Sequence, residues 1–169
     1  FRTGGTQLRH EGEFEARRGG LPGPVRVDPE HPYHFVREGT GRHWFWNGTT
    51  TYQLLAWDDA TIEASVRRLA RLGVNRLRVA ICGRTADGSR WNEPLVRRTA
   101  GFQFKMEPWV AARPESQEDP GFDLGRFNVD FFRKTERLLR LARELDVVVS
   151  VIFYVDGADK GVDPFGKGG

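Results

Sequence analysis

Residues 44–83 read WFWNGTTTYQLLAWDDATIEASVRRLARLGVNRLRVAICG, and the order of patterns in this stretch decides the fold class. Trp44–Tyr52 has strand character. Asp58–Leu72 then carries Ile62, Val66, Leu69 and Ala70 at i, i+4, i+7 and i+8, the apolar stripe of an amphipathic helix. Arg67, Arg68 and Arg71 fall off that stripe. Asp58 or Asp59 can cap the first turn, and Gly73 stands where a helix closes with a left-handed residue. Val74–Cys82 follows at once as a second strand. Two strands joined by one helix predict a parallel pair with a crossover connection.

The unit repeats further on. Phe127–Leu145 places Phe131, Thr135, Leu138, Ala142 and Leu145 along one face, with Arg, Lys and Glu on the other and Asn128 as the N-cap. After one aspartate comes a third strand, Val147–Val155, so apolar throughout that both its faces are expected to be covered. Strand, helix, strand, helix, strand describes an α/β domain with a parallel sheet.

Composition limits the function classes. The chain has 169 residues, 38% of them hydrophobic and 12% aromatic, enough for one core. Lys and Arg number 26 against 23 Asp and Glu, interleaved on helix faces, so no basic block points to nucleic acid. No stretch is apolar for long enough to span a membrane. The single cysteine, Cys82, excludes an internal disulfide and reads as a small buried residue.

Toward the N-terminus the pattern weakens. Thr6–Leu8 and Glu13–Ala16 are candidate edge strands, and Arg18–Pro24 reads as a linker. Residues 1–23 are expected to be the tail of a preceding β-rich domain, and residues 24–169 the α/β body. Val25–Val27, Tyr33–Arg37 and Trp44–Trp46 form short β segments separated by turn residues. His31, His34 and His43 lie there without a cysteine or carboxylate at ligand spacing. They read as turn and surface histidines, and no metal or cofactor is expected. The chain begins without Met and stops on Gly168-Gly169, which reads as a segment of a longer protein. A leader peptide would lie upstream, so location stays open, secreted and periplasmic included.

Between Cys82 and Phe127 runs a connection of roughly forty residues, far longer than such loops usually are. It carries Trp91, Phe102, Phe104, Met106 and Trp109. It also follows the C-terminal end of a parallel strand, the edge where α/β folds build their sites. Its rings are either a substrate wall or a docked loop that only packs. Alternation in Val74–Cys82 puts Leu77, Val79 and Ile81 on one face and Arg76, Arg78 and Ala80 on the other. Tyr154 and Asp156 continue one face of the third strand, so Arg78, Tyr154 and Asp156 are expected to converge on one rim. The plainer reading is an Arg–Asp pair that only satisfies the interior.

Two motifs are decoys. Gly161–Lys167 fits the start of a phosphate-binding loop, but Gly168 stands where a Ser or Thr must hold magnesium. Asn47-Gly48-Thr49 is a formal glycosylation sequon inside a predicted strand.

Val25-Arg26-Val27-Asp28-Pro29, a hairpin, and then Trp44–Leu55 together resemble the start of the apiosidase-like glycoside hydrolases. In these a β-sandwich precedes a (β/α)8 TIM barrel. Their first strand ends Gly-Asp-Thr-Ala-Trp, a polar residue and Leu; Gly48, Thr50 and Leu54 match, whereas Thr49 and Tyr52 replace the Asp and Trp. Gly73-Val74-Asn75 before Leu77-Arg78-Val79, and Asp163-Pro164-Phe165-Gly166, are similar to patterns of barrel glycosidases. The resemblance runs from about residue 23 to the end. It implies the N-terminal portion, about three βα units, of a barrel hydrolase acting on polysaccharide or oligosaccharide.

That chemistry needs two carboxylates, which in such barrels lie at the fourth and later strands. No catalytic residue is therefore expected in this segment. The resemblance implies carbohydrate contacts instead: Arg78 orienting a carboxylate, Tyr154 and Asp156 on hydroxyls, and Trp91 or Trp109 stacking on a sugar face. The expected partners are a carbohydrate and the remainder of the barrel. The alternative is a barrel that binds carbohydrate, or serves as a scaffold, without hydrolysing it.

Overall fold

The computed structural model describes residues 2–3, 6–7, 11–15, 23–81, 108–113 and 123–153. The chain divides into two compact units, Phe1–Phe45 and Trp46–Gly169.

In the first unit, β1 (Arg2–Thr3) pairs antiparallel with β2 (Thr6–Gln7). Glu13–Glu15 forms no strand, contrary to expectation. Phe14 is 93% exposed, so alternation here buries nothing on either face. β3 (Val25–Val27) and β4 (Phe35–Arg37) make the predicted hairpin, with Val25 opposite Arg37 and Val27 opposite Phe35. The chain then turns through Gly39 and Gly41, both at positive φ, and returns to set His43 opposite Val36. Trp44 is buried on one face of this ribbon, edge-on to Phe35 and beneath the Arg37 guanidinium.

The second unit holds the α/β body. β5 (Gly48–Thr50) leads through a 3-10 turn at Leu54–Ala56 into α1 (Asp59–Arg71) and then β6 (Arg76–Ala80). β7 (Trp109–Val110) pairs antiparallel with β8 (Asp123–Phe127), after which come α2 (Val129–Glu144) and β9 (Val148–Ile152). Strands β5, β6 and β9 form one parallel sheet in that order. The caps are those the sequence predicts. The Asp58 carboxylate accepts from Thr61 N at 2.7 Å, Asn128 caps α2 through Phe131 N, and Gly73 sits at φ +79°.

One face of the sheet is covered. Leu77 and Val79 pack with Ile62 and Val66 of α1 and with Phe131, Leu138 and Ala142 of α2, so both helices lie on the same side. The expected stripe of α2 needs one correction. Lys134, assigned to the polar face, is buried at 5% exposure, and its ammonium donates to the Trp57 carbonyl. The Asp58 and Asp59 carboxylates oppose the desolvation that lowers its pKa.

Two boundaries also move, and one strand is less covered than expected. The first strand shortens to Gly48–Thr50, although its ladder runs on through Thr51 N to Arg78 O and Ala80 N to Tyr52 O. Phe127 belongs to β8 because it pairs with Trp109, and α2 begins two residues later. β9 lies at an edge of the sheet, leaving Val151 at 39% and Phe153 at 62% exposure instead of covered on both faces. Cys82 and the segment 161–168 lie outside the described residues.

Candidate functional site: the open face of the sheet

The face of the sheet turned away from the helices is polar. In register across the three strands it presents Gly48 and Thr50, then Arg76, Arg78 and Ala80, then Val148, Ser150 and Ile152. Two arginines therefore stand side by side on one strand, neither able to lie beneath an apolar helix.

They are held differently. Arg76 donates from Nε to Ser150 Oγ at 3.1 Å, and its guanidinium lies 4.3 Å from the centre of the Trp46 ring. Its pKa is held below the usual arginine value by desolvation and then by the charge of Arg78. The main chain of Arg78 is locked by Thr51, whose N–H and hydroxyl reach its carbonyl at 2.8 and 3.4 Å. The Arg78 guanidinium is half-buried, and among the described residues no carboxylate pairs with it. Such a strand can fix an anionic group, or a planar array of acceptors, at two points.

The lower end of this face is closed by a clasp. Asn47 N donates to Asn75 Oδ1 at 3.0 Å, Asn75 N donates to Asn47 O at 2.9 Å, and Asn47 Nδ2 donates to Gly73 O at 2.9 Å. Val148 N reaches Asn75 O at 2.8 Å, so one asparagine ties β5 and β9 to the start of β6. The sequon asparagine thus has a structural task. A separate cavity of about 560 Å³ opens beside β5 and α1, lined by Tyr52, Gln53, Trp57, Thr61, Ser65 and Arg68.

No protein-family model matches the sequence, and no curated protein matches it. Solved structures do. Glycoside hydrolases are among those it resembles. A putative glycoside hydrolase from Bacteroides vulgatus superposes at a TM-score of 0.55 with 22% identity, over 85% of this chain and 26% of the other. A family 5 mannosidase from Rhizomucor miehei gives 0.44 with 18% identity, over 75% of this chain and 26% of its own, too loose to add to the comparison. The chain spans about a quarter of the length of these structures. At this identity the likeness establishes shared fold: a mixed α/β arrangement with a parallel sheet, as found in part of a glycoside hydrolase.

Of the residues singled out by sequence, Arg78 stands on the open face. Trp109 is 8% exposed and lies opposite Phe127 in the antiparallel β7–β8 ribbon. Trp91, Tyr154 and Asp156 lie outside the described residues. Sequence reading missed the Trp46–Arg76–Ser150 group. Arg76 was visible in the alternation, but its two partners come from other strands and only register brings them together.

Proposed function

We propose that this chain is the N-terminal portion of a (β/α)8 barrel of the apiosidase-like glycoside hydrolase type, acting on a polysaccharide or oligosaccharide. The observation that carries this reading is the sheet itself: three parallel strands in chain order, both helices on one side, arginines on the other. A barrel interior is polar at its rim and its helices form a single outer ring, which is the sidedness seen here. The fold shared with a glycoside hydrolase supports the same reading.

In this proposal residues 1–23 are the tail of a preceding β-rich domain and residues 24–169 belong to the barrel. Arg78 orients a carboxylate contributed by a later strand, Tyr154 and Asp156 contact sugar hydroxyls, and Trp91 or Trp109 stacks on a sugar ring. The catalytic carboxylates come from strands other than these three. Retaining and inverting outcomes follow from their separation. A second reading, carbohydrate binding without hydrolysis, draws on the absence of any carboxylate from the open face among the described residues.

The test begins with the intact mass of the polypeptide as its source makes it, followed by release of reducing ends from a panel of plant and microbial glycans. A mass well above 19.2 kDa together with glycan cleavage is the expected result. Binding of a glycan without cleavage selects the second reading. A native chain of 19.2 kDa that neither cleaves nor binds glycans overturns both.

A further inference from the structure

The solvent face of the ribbon in the first unit gathers histidines. Val36 lies opposite His43, so His34, two residues before Val36, shares the face of His43 and is its diagonal neighbour. Their ring centres are 4.8 Å apart, inclined at 43°. Two imidazoles bound to one tetrahedral or square ion through bonds of about 2.1 Å have ring centres about 4.5–5.2 Å apart, so the pair already stands at ligand separation.

His31 stands beside them, its ring centre 6.1 Å from that of His34. It is 67% exposed at the side chain, with room for a small torsional shift that closes that gap while its Nδ1 stays beside Asp28. Its Nδ1 faces Asp28 Oδ2 at 3.4 Å. Asp28 is fixed in turn, its other oxygen accepting from Glu30 N at 2.9 Å and His31 N at 3.3 Å. A carboxylate on one ring nitrogen leaves the other as the electron-pair donor, the arrangement by which proteins orient metal-binding imidazoles. The neighbouring charges do not oppose a cation, because Arg26 on this face is paired with Glu38 at 2.8 Å. Among the described residues no set of three or more donors is already assembled as a metal site, so the preformed part is the pair and His31 completes it.

We propose that His34 and His43, joined by His31 held on Asp28, bind a divalent transition-metal ion of the zinc or copper class. The inference concerns the first unit and is independent of the glycosidase reading.

The probe is the metal ion alone, added to the full chain: zinc by titration calorimetry and Cu²⁺ by electron paramagnetic resonance. One ion per chain bound at micromolar concentration, with imidazole nitrogen couplings on copper, is expected. His34→Gln or His43→Gln abolishes binding. Asp28→Asn weakens it about 10–100-fold through the orientation of His31. His10→Gln, altering the one histidine outside the group, leaves it unchanged. In the unsubstituted chain, substoichiometric Cu²⁺ broadens the His34 and His43 ring-proton resonances first, a readout that does not depend on any variant folding. Binding that requires millimolar metal, survives His34→Gln and His43→Gln, or is lost in His10→Gln overturns the proposal.

Discussion

Replacing Asn75 by alanine tests the clasp at the lower end of the sheet. The side chain supplies the acceptor for Asn47 N at 3.0 Å, in a part-buried position between β5 and β6. Loss of a neutral hydrogen bond costs about 1 kcal/mol, and leaving a part-buried N–H unsatisfied raises this to about 2 kcal/mol. Asn47→Ala removes a different bond, Nδ2 to the Gly73 carbonyl at 2.9 Å. That carbonyl is exposed, water replaces the lost donor, and the cost stays near 1 kcal/mol or below. Gly73→Ala costs about 1–2 kcal/mol through its positive φ alone. The added methyl would meet Asn47 Nδ2 at 3.7 Å, an ordinary contact. Urea denaturation followed by tryptophan fluorescence gives the three values, and hydrogen exchange at the Asn47 amide reads the clasp directly. An Asn75→Ala variant within about 0.5 kcal/mol of the parent, or an Asn47→Ala variant less stable than Asn75→Ala, would mean that the Asn75 side chain does not hold the strands together.

Leu77 is fully buried between α1, α2 and the sheet, so Leu77→Ala should cost about 3–5 kcal/mol in the same urea experiment. Lys134 should give the protein an alkaline signature. Its folded pKa lies below the ordinary 10.5, so in the window between the two values the unfolded chain holds a proton that the folded chain does not. Its contribution therefore becomes more favourable as pH rises through that window. Lys134→Met should flatten that rise, which the difference between the two urea-midpoint profiles measures. In a barrel hydrolase carrying this segment, Arg78→Lys should lower kcat/KM by about 10²-fold. Lysine keeps the charge but loses the two-point geometry that positions a carboxylate. Unchanged kcat/KM would remove Arg78 from the site.

Local chemistry was legible. Asp58, Asn128 and Gly73 act on residues within three positions of themselves, and the structure uses each as expected. The alternation of Leu77 and Val79 against Arg76 and Arg78 likewise needed only period two. What stayed hidden depends on partners distant in sequence. Lys134 is drawn inside because the 3-10 turn before α1 offers the Trp57 carbonyl, 77 residues away. Phe127 is claimed by Trp109 across a β-ribbon before the helix pattern can take it. The histidines looked unrelated at positions 31, 34 and 43 because the return of the chain opposite Val36 brings the last beside the others. Asn75 reads as a polar residue before a strand, and only pairing on both sides gives it its role.

The two faces of β6 differ in kind, apolar on one side and charged on the other. In a doubly wound sheet helices cover both faces and central strands are apolar on both. Here β6 is the central strand of its sheet, yet three of its five side chains are charged or small, and Arg76 already bears the cost of partial desolvation beside a like charge. A covering helix would deepen that cost, and burial of an unpaired guanidinium would exceed what the strand gains from packing. On the proposed barrel reading the opposite face belongs to a polar interior, with Ser150 and Trp46 engaging Arg76 and an acceptor still required at Arg78. A carboxylate supplied from across a closed sheet meets that requirement. It would also lower the repulsion between the arginines, so the stability of β6 and the placing of a reactive carboxylate would rest on the same pairing.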